Sequence, residues 1–163
     1  MGFKCEEFKE IADNLPNFKS LPNEGKYRTA IGRYYYYTFL TIRDMIYRVD
    51  ERDEIEKYYS SGLIHSFIRI YLNKFSKNIG SDELNIASIL LSKLHFLRKL
   101  ADYNTNEKIT YKHVLRAKRY SQSIIEILNN LEYNGIKGFE NILRHLKERG
   151  KEEGDEYKYF PRV

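Results

Sequence analysis

Tryptophan is absent from this chain, glutamine occurs once (Gln122), cysteine once (Cys5) and proline three times. A lone cysteine excludes an internal disulfide and agrees with a reducing compartment. So few prolines leave long stretches free to remain helical. No uninterrupted apolar run reaches the roughly 18–20 residues that a membrane span needs. The opening MGFKCEEFKE carries acidic residues and no apolar signal-peptide core, so the expected location is cytoplasmic, with no membrane association. His65, His113 and His145 each stand alone, with no second ligand at zinc spacing, and neither a glycine-rich phosphate loop nor a nucleophile elbow occurs. No metal and no cofactor is expected.

What is present describes a soluble globular protein. Of its 163 residues, 42% are hydrophobic and 31% charged, enough for one domain with a real core. A net charge of +5 permits contact with nucleic acid without requiring it. Abundant Lys, Glu, Ile and Tyr beside scarce glutamine fits a thermophile, although AT-rich coding produces a similar bias.

Apolar spacing is helical nearly throughout. It predicts helices over about 4–15, 26–48, 61–77, 83–103, 110–131 and 138–149, with the charged RVDERDEIEKYY as a connection or short helical extension. Ser60 or Ser61 is expected to cap the third of these, Ser81 or Asp82 the fourth and Thr110 the fifth. The fourth is apolar over most of its circumference, which places it centrally in a bundle or at an interface. No strand-like alternation is evident. Residues 1–150 read as a single all-α helical domain, and KEEGDEYKYFPRV (151–163) as a polar, mobile tail.

Two features carry candidate chemistry. In LHFLRKLADY, His95, Arg98 and Asp102 fall in a row on one helical face, with Tyr103 one step round at the helix end. A cation, an imidazole, a carboxylate and a phenol so grouped could handle phosphate, or could form a salt-bridge network. In YKHVLRAKRY, Lys112, Arg116 and Arg119 form a basic stripe with His113 and Lys118 beside it, suited to a phosphate backbone or to an ordinary solvated face. The run Tyr34–Tyr37, near Arg28, Arg33 and Arg43, could stack on unpaired bases. Core filling with hydroxyls reaching water is the usual employment of such rings.

Three segments in order, YRTAIGRYYYYTF, SSGLIHSFI and LRKLADYN, resemble the HEPN superfamily (higher eukaryotes and prokaryotes nucleotide-binding domain), in particular its small stand-alone prokaryotic members. The matching positions are Arg33, Tyr35, Tyr36 and Phe39, then Ser61 and Gly62, then Arg98, Ala101, Asp102 and Tyr103, within about residues 26–128. The resemblance implies an up-and-down four-helix bundle with additional short terminal helices, commonly a homodimer. It also implies a metal-independent ribonuclease lineage, often toxins paired with a minimal nucleotidyltransferase or acting in antiviral defence. The family's active site needs a histidine separated from the arginine by four to six intervening residues. Here the arginine is Arg98, and positions 103–105 are Tyr, Asn and Thr. Tyrosine, with a pKa near 10, is a poor base at neutral pH. The expectation is an RNA- or nucleotide-associated protein with weak or no nuclease activity, in which Arg33, Lys112, Arg116 and Arg119 contact single-stranded RNA. Two alternatives stand beside it: an active endoribonuclease using Arg98 with His95 or Asp102, and a protein-binding partner of a minimal nucleotidyltransferase that never touches RNA.

Overall fold

In the computed structural model, which describes residues 2–162, α-helices run through α1 (Glu6–Asn14), α2 (Asn23–Tyr47), α3 (Asp53–Tyr59), α4 (Ile64–Ile79), α5 (Asp82–Tyr103), α6 (Tyr111–Asn130) and α7 (Phe139–Glu152). The protein is an all-α helical bundle, as the apolar periodicity predicts. Among the described residues no helix is long and apolar enough to cross a membrane.

Helix ends follow local chemistry. The Ser81 hydroxyl accepts the Leu84 N–H at 3.2 Å and starts α5, immediately after Gly80 has ended α4 in the left-handed conformation at φ 66°. At the start of α6, His113 reaches back to Thr110. Its Nδ1 accepts the Thr110 N–H at 3.1 Å and lies 3.0 Å from the hydroxyl, the returning half of a capping box with imidazole in place of the usual carboxylate. The His113 N–H donates to the Thr110 carbonyl at 3.0 Å. The expected Ser60/Ser61 cap is displaced: α4 begins at Ile64 after Leu63, because Ser61 is spent in the preceding turn, where its hydroxyl donates to the Tyr58 carbonyl at 3.0 Å.

The chain gathers into two compact units, whose boundaries fall inside the helices. The first combines the chain up to Thr41 with Leu90–Ile124. Its core holds Ala12, Ile31, Tyr34, Tyr35, Leu94, Leu97 and Ala117, and a buried hydrogen bond of 2.7 Å joins the Thr38 and Ser121 hydroxyls. Arg28 ties the loop between α5 and α6 to α2. Its guanidinium donates to the carbonyls of Ala101 (2.7 Å), Asn104 (3.0 Å) and Glu107 (2.6 Å) and pairs with Glu24 at 2.8 Å, while Glu24 also accepts the Ile109 N–H at 3.2 Å. A cation set against the last carbonyls of α5 also complements that helix's negative end.

The second unit combines Ile42–Ile89 with the chain from Ile125 onward. Phe75 and Phe139 meet edge-on at its centre, their centroids 5.8 Å apart. Two sequence expectations are corrected here. A two-residue hairpin, β1 (Glu132–Tyr133) paired antiparallel with β2 (Ile136–Lys137), interrupts the helical pattern. Asn134 (φ 48°) and Gly135 (φ 79°) turn it, both left-handed, as an Asn-Gly hairpin turn requires. The tail is no loose end: α7 continues to Glu152, and Phe160, only 3% exposed, packs against Phe75 at 6.2 Å and Tyr157 at 5.4 Å. Buried Phe160 and Pro161 anchor a segment that is otherwise mostly polar. Arg52 and Asn78 reinforce it by donating to the Pro161 and Tyr159 carbonyls at 3.0 and 3.1 Å.

Candidate functional site

Helix periodicity brings Arg98 and Asp102 together on α5, with Nε and Oδ2 2.7 Å apart. The distance is that of an ion pair, but the Nε–H is not aimed along it, so charge is offset while the donor remains without a hydrogen bond. Asp102 is partly solvated, which weakens the attraction further. The other arm of the guanidinium points into aromatics. Nη2 donates to the Tyr36 hydroxyl at 3.0 Å and the Tyr103 hydroxyl at 3.3 Å, and the cation lies 5.3–5.9 Å from the ring centres of Tyr35, Tyr36 and Tyr103. Burial works to lower the Arg98 pKa; Tyr36, Asp102 and Tyr103 outweigh it and raise it. Arg98 is a fixed cation.

Arg33 approaches the same aromatics from α2. Its guanidinium lies 4.8 Å from the centre of the Phe8 ring and 5.5 Å from that of Tyr36. Its buried Nε has no hydrogen-bond partner, and no carboxylate pairs with it among the described residues. Tyr36 thus has a guanidinium within cation–π range on each of two approaches, and only the Arg98 side has an acid beside it. An anion would be stabilised at such a place.

The remaining expected residues fall into three groups. Tyr103 ends α5 and is 68% exposed, so its hydroxyl reaches both Arg98 and water. His95 is half-buried, its ring edge-on to Tyr35 with centroids 5.2 Å apart and its Nδ1 out of solvent. On α6, Lys112, Arg116 and Arg119 are exposed and make no ion pair among the described residues. Lys118 departs from that stripe and pairs with Asp13 at 3.0 Å, and His113 serves as the cap described above.

Two residues invisible as a pair in sequence organise the flank of this site. Tyr34 is buried and its hydroxyl donates to Asp13 at 2.5 Å, which also receives Lys9 at 2.6 Å. Burial tends to raise the Asp13 pKa, but the hydrogen bonds from Lys9, Tyr34 and Lys118 together hold it at about 2. The four-tyrosine run therefore divides: Tyr34 and Tyr35 fill the core, and Tyr36 serves the Arg98 cluster. Of these links, only the Lys9–Asp13 spacing is readable from sequence. Among the described residues no cluster of His, Cys, Asp and Glu is arranged to hold a metal.

Comparison with known proteins gives two relatives in the archaeon Methanocaldococcus jannaschii. The uncharacterized protein MJ0992 is 38% identical over 159 residues, covering 90% of each chain. The uncharacterized protein MJ0628 is 29% identical over 159 residues, covering 91% of this chain and 93% of its own. No protein-family model matches the chain. No solved structure matches it.

Proposed function

The chain belongs to the family of the archaeal protein MJ0992, and within that family we propose that it is an RNA-associated, HEPN-like protein of a defence or toxin–antitoxin setting, with weak or no nuclease activity. One observation carries the reading: the first unit concentrates cations that form no ion pair among the described residues, Arg33 beside Tyr36 and the stripe Lys112, Arg116 and Arg119 on α6. Arg98 adds a guanidinium amid aromatic rings able to stack on bases. Weak catalysis follows from chemistry. Arg98 does not release its proton, and the histidine that the resemblance implies is replaced by a phenol, a residue type that is a poor general base. The archaeal origin of the relatives agrees with the thermophilic composition.

A homodimer belongs to the same proposal. Along one side of α5, Ile86, Ile89, Phe96 and Tyr103 remain exposed, an apolar face that a second copy would cover. A cytoplasmic location accompanies it.

The test is binding of single-stranded RNA across a salt series. Counterion release gives a log–log slope of about −0.7 per phosphate contacted, so reversing Lys112, Arg116 and Arg119 to Glu should flatten it by about 2 and abolish binding at moderate salt. Salt-independent binding, or none, defeats the reading. The second reading, a protein-binding partner of a minimal nucleotidyltransferase without RNA contact, draws on the Arg98–Asp102 pair as a purely structural link.

A further inference from the structure

The second unit holds a cavity of about 280 Å³ enclosed by α3, α4 and the C-terminal segment. Its floor is aromatic. Tyr58 and Phe67 stack with centroids 4.5 Å apart and planes 17° from parallel, and Tyr71 follows 5.7 Å beyond Phe67. Phe67, Ile70, Tyr71 and Lys74 are spaced i, i+3, i+4 and i+7, so α4 turns one continuous face toward the space. The C-terminal segment supplies the opposing wall through Pro161 and Arg162, held by the Arg52 bond to the Pro161 carbonyl.

Among the described residues, the charge at this cavity has one sign: Lys74 and Arg162 are the charged lining residues, both exposed at the rim, and no described carboxylate lines it. Neither makes an ion pair among the described residues; the Lys74 ammonium donates to the Arg162 carbonyl at 3.0 Å. Lys77, one turn further along α4, is likewise exposed and unpaired among the described residues. A core built only for stability gains nothing from opening such a space beside two uncompensated cations. An apolar recess with one or two convergent polar groups is how small-molecule sites are made.

We propose that this cavity binds a small amphipathic anion, an apolar body filling the recess over Tyr58 and Phe67 with its single anionic group at Lys74 and Arg162. The volume limits the body to about one or two rings or a short alkyl chain. Hydrophobic burial selects the body and the rim cations select the head, so neither part alone binds as well. The site is independent of RNA binding by the first unit.

The experiment uses the whole protein and two fluorophores with the same two-ring body, 5-(dimethylamino)naphthalene-1-sulfonate, which is anionic, and 1-(dimethylamino)naphthalene, which is neutral. The sulfonate should saturate one site. Lys74→Glu should weaken it at least tenfold while leaving the neutral fluorophore nearly unchanged, and Ser66→Phe, which fills the recess, should abolish both. Circular dichroism checks that each variant is folded, and Lys74→Met replaces Lys74→Glu should the reversal unfold the protein. Displacement of the sulfonate by decanoate assigns an aliphatic ligand, and by indole-3-acetate an aromatic one. Displacement by neither, equal sulfonate binding in the Lys74 variant, or unchanged binding in Ser66→Phe overturns the proposal.

Discussion

The Tyr71 hydroxyl donates to the Asp50 carboxylate at 2.8 Å, and both side chains are sealed from solvent. Arg52 grips the same carboxylate through Nε and Nη2, each at 2.8 Å. A buried acid so enclosed is stable only while its cation remains. Asp50→Ala strips Arg52 and Tyr71 of their acceptor at once and should cost about 3–5 kcal/mol. Tyr71→Phe removes a single donor and should cost about 1–2 kcal/mol. Urea unfolding of both variants checks the order, and equal losses would refute it.

Acid should loosen the first unit through Asp13. Its folded pKa of about 2 lies below the ordinary aspartate value of 3.8, so the stabilisation is fully present above pH 4 and is lost as the pH falls toward 2. With solvent screening at this partly exposed site, the loss should be roughly 1–2 kcal/mol. Asp13→Asn should flatten the stability profile across that window. A variant with the same acid sensitivity as the natural protein would place the titrating group elsewhere.

Purified protein without metal should leave RNA intact at neutral pH. Tyr103→His restores the spacing that the HEPN resemblance implies, at a position whose ring centre already lies 5.3 Å from the Arg98 guanidinium, so under the proposed function it is the variant expected to gain cleavage. Should the natural protein cleave instead, His95→Ala should slow it by about 10²–10⁴-fold, the usual contribution of proton transfer, and Arg98→Ala by about 10²–10³-fold, that of a donor stabilising developing negative charge. Metal-free cleavage that survives Arg98→Ala would rule out both versions.

Light scattering should give about twice the chain mass of 19.6 kDa. Phe96, 64% exposed at the middle of the apolar side of α5, is the residue to change. Phe96→Glu should yield a monomer with unchanged helicity. A natural protein already monomeric at high micromolar concentration would remove the dimer.

Gly150 and Gly62 should respond oppositely to alanine. A Cβ at Gly150 would overlap the backbone carbonyls of Asp155 and Glu156, where the chain folds back past α7. The expected loss is about 1–3 kcal/mol, seen as a lower Tm. Gly62 has open space at that point, so Gly62→Ala should be neutral or raise stability by up to about 1 kcal/mol.

Periodicity carried the long helices well, because α2, α5 and α6 bury apolar residues at regular intervals and Ser81 and Thr110 mark their starts. It failed where a pair of adjacent residues does the anchoring: nothing periodic distinguishes Phe160 and Pro161 from the mostly polar tail around them. The hairpin at Asn134–Gly135 was missed because two-residue strands are too short to show alternation. At the candidate site, the Arg98–Asp102 pair is a spacing on one helix and could be read directly. The hydrogen bond from Arg98 to Tyr36 spans 62 positions, and only folding brings those two residues together.

The Arg28 clamp sets a limit on how this family can vary in length. One guanidinium holds the Ala101, Asn104 and Glu107 carbonyls together, and the Asn104 side chain accepts the N–H groups of Asn106 (3.1 Å) and Glu107 (3.2 Å) inside the same turn. An inserted or deleted residue between Asn104 and Glu107 would shift carbonyls out of reach of a side chain whose own position is set by α2. Relatives should therefore tolerate insertions at the solvent-facing Asn134–Gly135 turn and keep a constant count through the loop from Asn104 to Thr110.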